Sequence, residues 1–128
     1  MARWSLFEYG LSANNLVITQ WRLSLSRQSQ ADMDVFLNDL AKVERWKPPQ
    51  ISSLKGDSYT GLRELRWLSE GVQHRIFGEY DGEKRFAMYV GCTHKGKIYK
   101  PPSAFELARK RRRDRNNGIG EMYAYEID

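Results

Sequence analysis

Apolar positions recur at helical spacing between residues 15 and 44 and alternate as in strands between residues 61 and 102. Val17, Trp21 and Leu25 stand four apart, on one helical face, with Asn14 or Asn15 available to cap the free amides. Ser29, three before Asp32, has the spacing of a capping box with the shorter acid. Met33, Phe36, Leu37 and Leu40 then form an apolar stripe, which predicts a second helix running to about Glu44. Pro48 and Pro49 stop it, because proline lacks the donor amide and disfavours helical geometry in the residue before it. A helical hairpin is the expected result.

Three strand-like segments follow: GLRELRW (61–67), VQHRIFGEYD (72–81) and the stretch from 88 to 102, MYVGCTHKGKIYKPP. SEG (69–71) and DGEK (81–84) separate them, and the Asp-Gly pair favours a tight hairpin, so an antiparallel meander is predicted. An aromatic-rich segment before Gly10, RWSLFEY (3–9), predicts a short first strand whose mate lies elsewhere. After Pro101 and Pro102, FELARKRRRDR (105–115) predicts a charged third helix, broken by Asn116, Asn117, Gly118 and Gly120. EMYAYEID (121–128) is then a final edge strand or an ordered tail.

Successive strand side chains point to opposite sheet faces, and only the face against the helical hairpin is expected to be core. With Leu65 inward, Glu64 and Arg66 face outward; with Ile76 inward, Arg75, Phe77 and Glu79 do. With Met88, Val90 and Cys92 inward, Tyr89, Gly91, Thr93 and Lys95 join the outward set. Arg66, Arg75 and Lys95 are thereby gathered on an open, basic face that suits an RNA phosphate. The plainer alternative is a solvated sheet surface on which Glu64 and Glu79 pair the cations, each exposed pair worth at most about 1 kcal/mol.

Length and composition narrow the class. A chain of 128 residues with 41% hydrophobic content, seven Tyr, five Phe and four Trp is read as one folded domain over residues 1–128. The excess of 21 Lys and Arg over 16 Asp and Glu gives a net charge of +5, which suits a polyanion or an acidic protein. Cys92 is the only cysteine, which leaves no intrachain disulfide and no cysteine-built zinc site, and there is no Walker, Rossmann or GxSxG pattern. No cofactor or metal is expected. Nor is there an apolar run near the roughly 20 residues that span a bilayer, so a cytoplasmic protein without membrane contact is expected.

Candidate chemistry concentrates beside the last strand. Gly91 offers close backbone approach, and His94, Lys95, Lys97, Tyr99 and Lys100 gather a proton carrier and phosphate ligands at a strand end. Tyr99 suits stacking on a base or proton transfer as well as plain packing. Arg109 to Arg113 with Arg115 suit phosphate or an acidic peptide, or are simply a wet helix face. Trp21, Trp46 and Trp67 are expected in core or loop packing.

Over residues 15–115 the chain resembles the RelE/HigB toxins of bacterial toxin-antitoxin systems, in particular the phage-derived HigB-like subgroup. The resemblance rests on the order and spacing of NNLVITQW, DVFLNDL, LKGDSYTGLRELR, GVQHRIFGEYDG, GCTHKGKIYKPP and AFELARKRRRD. It implies an α+β fold: a small twisted antiparallel β-sheet with the N-terminal helical hairpin on one face, the active surface on the other and a C-terminal basic helix. It also implies a metal-independent, ribosome-dependent endoribonuclease that cleaves translated mRNA and is neutralised by a cognate antitoxin, a helix-turn-helix or acidic protein. The family's arginine in its aromatic-arginine-apolar motif falls on Arg75, with His74 in place of the usual aromatic. Its strand-ending arginine falls on Arg66 and a lysine on Lys95, while His94 stands where another lysine is usual. Arg66, Arg75, His94, Lys95 and Tyr99 are the implied catalytic set, and Arg63, Lys97, Lys100, Arg109 and Arg112 the implied RNA contacts. A neutral His94 would accept the 2′-hydroxyl proton while the cations stabilise the phosphorane. A non-catalytic protein that keeps the antitoxin or nucleic-acid surface is the alternative.

Overall fold

The computed structural model describes residues 3–127. Strand β1 (Ser5–Ser12) turns back through the two-residue β2 (Asn15–Leu16) into helix α1 (Val17–Leu23), and α2 (Arg27–Lys42) completes the helical hairpin. β3 (Ile51–Ser53), a 3-10 turn (Asp57–Tyr59), β4 (Arg63–Ser69), β5 (Val72–Tyr80), β6 (Arg85–Lys95) and β7 (Ile98–Lys100) follow. Helix α3 (Ala104–Asn116) and β8 (Glu121–Tyr125) close the series. The result is a small α+β domain in which N-terminal helices pack on a mixed, twisted sheet.

The meander of β4, β5 and β6 is antiparallel as expected, but the sheet as a whole is not. β1 lies parallel to β6, with Leu6 opposite Phe86, and antiparallel to β8, with Leu6 also opposite Tyr125. A parallel neighbour needs a long crossover, and the helical hairpin with β3 to β5 supplies it. EMYAY is thereby a true strand, the outer neighbour of β1.

Both helix starts differ from expectation. Neither Asn14 nor Asn15 caps α1; its first amides, Ile18 N and Thr19 N, donate to the buried carboxylate of Glu8 on β1 at 2.9 and 2.8 Å. For α2 the cap is Ser26, whose hydroxyl accepts from Ser29 N, one turn earlier than the Ser29 and Asp32 pair proposed. The helix ends at Lys42, two residues short of Glu44.

The sheet is buried on both faces. Ile18, Met33, Leu37, Leu65, Ile76, Phe86 and Met88 form the core under α1 and α2. Leu62, Phe77, Ala87, Tyr89, Val90, Cys92, Ala104 and Ala108 form a second core under α3. The outward face is therefore not open throughout: Phe77 is fully buried against Phe105 of α3, ring centroids 4.8 Å apart.

A bulge in β6 reassigns its faces. Phe77 pairs with Val90 but Gly78 pairs with Met88, which leaves Tyr89 as the extra residue. Before it Met88 faces the hairpin; after it Val90 and Cys92 face α3, so these three do not share the inward face expected of them. Gly91 turns toward the hairpin, where the indole of Trp21 covers its backbone so closely that a Cβ would meet the ring at 2.1 Å. Its close approach serves packing and not a ligand. Trp46 and Trp67 are buried, as expected, with Trp46 stacked on Trp4 and Trp67 on Phe36.

Candidate functional site

Regular pairing of β4 with β5 puts Arg66 directly opposite Arg75, and Arg75 opposite Cys92 on β6. Facing residues share a sheet face, so these form one row. The row nearer α3 is Glu64, Phe77 and Val90; the row beyond is Leu68, Gln73 and His94, with Tyr99 of β7 opposite His94. Two arginines thus sit side by side between a carboxylate and an amide-imidazole row.

Glu64 ties the arginines together. Arg75 Nη1 donates to Glu64 Oε2 at 2.7 Å, Arg66 Nη1 lies 3.7 Å from Oε1, and the Ser52 hydroxyl donates to Oε1 at 3.2 Å. The side chains of Glu64 and Arg75 are only 9% and 14% exposed, whereas Arg66 is 36% exposed. Arg66 Nε is anchored on the Pro49 carbonyl at 2.8 Å. Arg75 Nη1 also reaches the Tyr99 hydroxyl at 3.4 Å, while its buried Nε has no partner.

Tyr99 is wedged between His94, stacked on it at 4.0 Å and 6°, and Phe105, edge-on at 5.0 Å. Burial raises the Tyr99 pKa, Glu64 and Cys92 add to that, and Arg75 opposes it. The phenol is therefore held as a proton donor. Cys92, in the same row beside Arg75, is pushed up to about 12 by burial first, with Glu64 adding and Arg75 opposing.

Arg66, Arg75, His94 and Tyr99 are thus gathered on one face, but other expected members are not. Lys95 pairs with Ile98 in the register position next to His94 and belongs to the opposite face from Arg75, a consequence of the β6 bulge. Lys97 lies on the β6–β7 turn, and Lys100, opposite Thr93, shares the side of Lys95. All three are exposed. Arg63 lies on the hairpin side, bonded to the Ser53 hydroxyl and placed over the Tyr80 ring at 5.5 Å. On α3, Arg109 pairs with Glu106 at 3.4 Å and Arg112 donates to the Thr60 carbonyl at 2.6 Å. His74, also on the hairpin side, is buried beside Trp67 and bonded through Nδ1 to the Val72 carbonyl.

A cleft of about 510 Å³ opens beside the arginines, lined by Phe36, Pro49, Gln50, Arg66, Trp67, Leu68, Gln73 and Arg75. It holds two cations and no carboxylate in its walls. Gln73 and Leu68 were readable as members, since they stand two residues from Arg75 and Arg66 and share their faces. Pro49, Gln50 and Phe36 arrive from a loop and from α2, and no spacing rule announces them. Comparisons with protein-family models, curated proteins and solved structures found no match to this chain.

Proposed function

We propose that this chain is a RelE/HigB-like toxin: a cytoplasmic, metal-independent endoribonuclease that cleaves mRNA on the ribosome and is held inactive by a cognate antitoxin of helix-turn-helix or acidic type. The observation that carries the proposal is the Arg66–Arg75 cross-strand pair opening on a carboxylate-free cleft, flanked by the His94–Tyr99 stack. The ordered motifs of the sequence supply the family and, with it, the RelE-like form of the sheet.

In the reaction proposed, the His94 imidazole takes the proton of a 2′-hydroxyl, whose oxygen attacks the adjacent phosphorus. Arg66 and Arg75 donate to the non-bridging oxygens as negative charge builds on them. The bond to the 5′-oxygen breaks and that oxygen takes the Tyr99 proton, leaving a 2′,3′-cyclic phosphate and a 5′-hydroxyl. Lys95, Lys97 and Lys100 at the β6–β7 tip, with Arg63, Arg109 and Arg112 further off, supply salt-dependent contacts to flanking phosphates and ribosomal RNA.

Expression without an antitoxin is expected to arrest growth and fragment mRNA, and Arg66→Ala with Arg75→Lys to relieve both. Full toxicity in that well-folded double variant overturns the site.

One observation favours a second reading, a non-catalytic relative that keeps only the binding surface. Glu64 already accepts from Arg75 Nη1 at 2.7 Å, so the anion site is partly filled by the protein's own carboxylate. Tight antitoxin binding with no cleavage on translating ribosomes selects this reading.

A further inference from the structure

The cleft next to the arginines has a composition that phosphate binding alone does not explain. β3 pairs with β4 only as far as Leu65, the Arg66 amide donates to the Gln50 carbonyl at 3.0 Å, and beyond Arg66 no strand covers the outer edge of β4 among the described residues. The cleft wraps this edge. Arg66 and Leu68 stand on one side of it, Trp67 with Phe36 stacked on it at 4.7 Å stands on the other, and Pro49 and Gln50 form the far wall.

Three features point to a flat, uncharged ligand with hydrogen-bonding edges. Leu68 is 62% exposed, an apolar side chain with nothing over it in the row next to the arginines. Gln50 and Gln73 both line the cleft, and neither side-chain amide bonds to another described residue. An amide presents a donor and an acceptor side by side, the pattern that matches one edge of a base. The volume lies within the roughly 300–1,000 Å³ typical of small-ligand clefts.

We propose that this cleft seats the nucleobase of the nucleotide whose phosphate rests on Arg66 and Arg75, with Leu68 and Pro49 against its ring and Gln50 and Gln73 reading its edge. The proposal rests on the RNA-cleaving reading for its biological setting, but the seat itself needs only an RNA nucleotide. Gln50 and Gln73 are then the specificity-determining residues of the site, the first set by its anchored loop and the second by the β5 register.

The test is a titration of the protein with each ribonucleoside monophosphate, with ribose phosphate and with inorganic phosphate, following the side-chain amide signals of Gln50 and Gln73 by NMR. At least one nucleotide is expected to bind about tenfold more tightly than ribose phosphate, the scale of one good base-edge contact, and to shift both amides. A Leu68→Ala, Gln73→Ala variant is expected to lose that gain and fall back to the affinity of ribose phosphate. Nucleotides that bind no better than ribose phosphate, or that shift other residues only, overturn the seat. Cleavage assays separate the two claims. Cleavage whose nucleotide preference is untouched by Gln50→Ala and Gln73→Ala removes the seat and leaves the nuclease; nucleotide binding at these amides without cleavage does the reverse.

Discussion

Trp21 of α1 lies against the bare backbone of Gly91 on β6, with its six-membered ring where a β-carbon would stand. Both residues sit in regular structure, so neither can shift without moving its element. Gly91→Ala is expected to destabilise by about 2 kcal/mol, the scale of overpacking in a tight core, visible as a lower urea midpoint at unchanged slope. A midpoint equal to wild type would mean the helix yields freely.

Glu64 and Arg75 form a pair that is largely withdrawn from water. Glu64→Ala leaves a cation without its counter-charge and is expected to cost about 3 kcal/mol, whereas Glu64→Gln, which keeps an acceptor, costs less. Replacing both residues, as in Glu64→Leu with Arg75→Met, is expected to cost less than the sum of the single changes. Additive costs in that cycle would contradict the pairing.

The Cys92 thiol is both buried and held protonated. At about pH 8.5, where an exposed thiol is half ionised, iodoacetamide is expected to leave the native protein unmodified and to label it fully in denaturant. Mass spectrometry reads the difference directly. Rapid native labelling would place Cys92 at the surface.

A ladder of hydroxyls joins the start of α2 to the β4–β5 turn. Ser69 donates to Asp32 at 2.6 Å and Gln28 does so at 2.8 Å, while Ser26 and Ser29 donate to Glu70. These bonds hold both carboxyls below their usual range. A lowered carboxyl stabilises the fold above its unfolded pKa of about 4, and the effect disappears as pH falls through the folded value. Ser69→Ala is therefore expected to be less stable than wild type at neutral pH, with the gap closing in acid. A gap that widens on acidification would reverse the sign of this account.

Local pattern announced the helical hairpin, the β4 to β6 meander and the Asp-Gly turn, because each follows from short-range periodicity. It also announced Arg66 and Arg75 together, since β4 and β5 pair without interruption between them. Beyond Tyr89 the same counting failed. One extra residue inverts the pleat, so His94 and not Lys95 faces the arginines. The buried Glu8 cap was equally hidden, because a carboxylate on β1 replaces the asparagine side chains next to α1. Parallel pairing of β1 with β6 leaves no local trace, since most of the chain lies between them.

That pairing places Leu6 beside both Phe86 and Tyr125. During synthesis β1 emerges first and waits, one edge bare until β6 has been made and the other until β8 has. A nascent chain of this protein therefore carries an aromatic-rich strand paired only at its end, with β2, until β6 and β8 have been made, which exposes it to wrong partners before its own arrive.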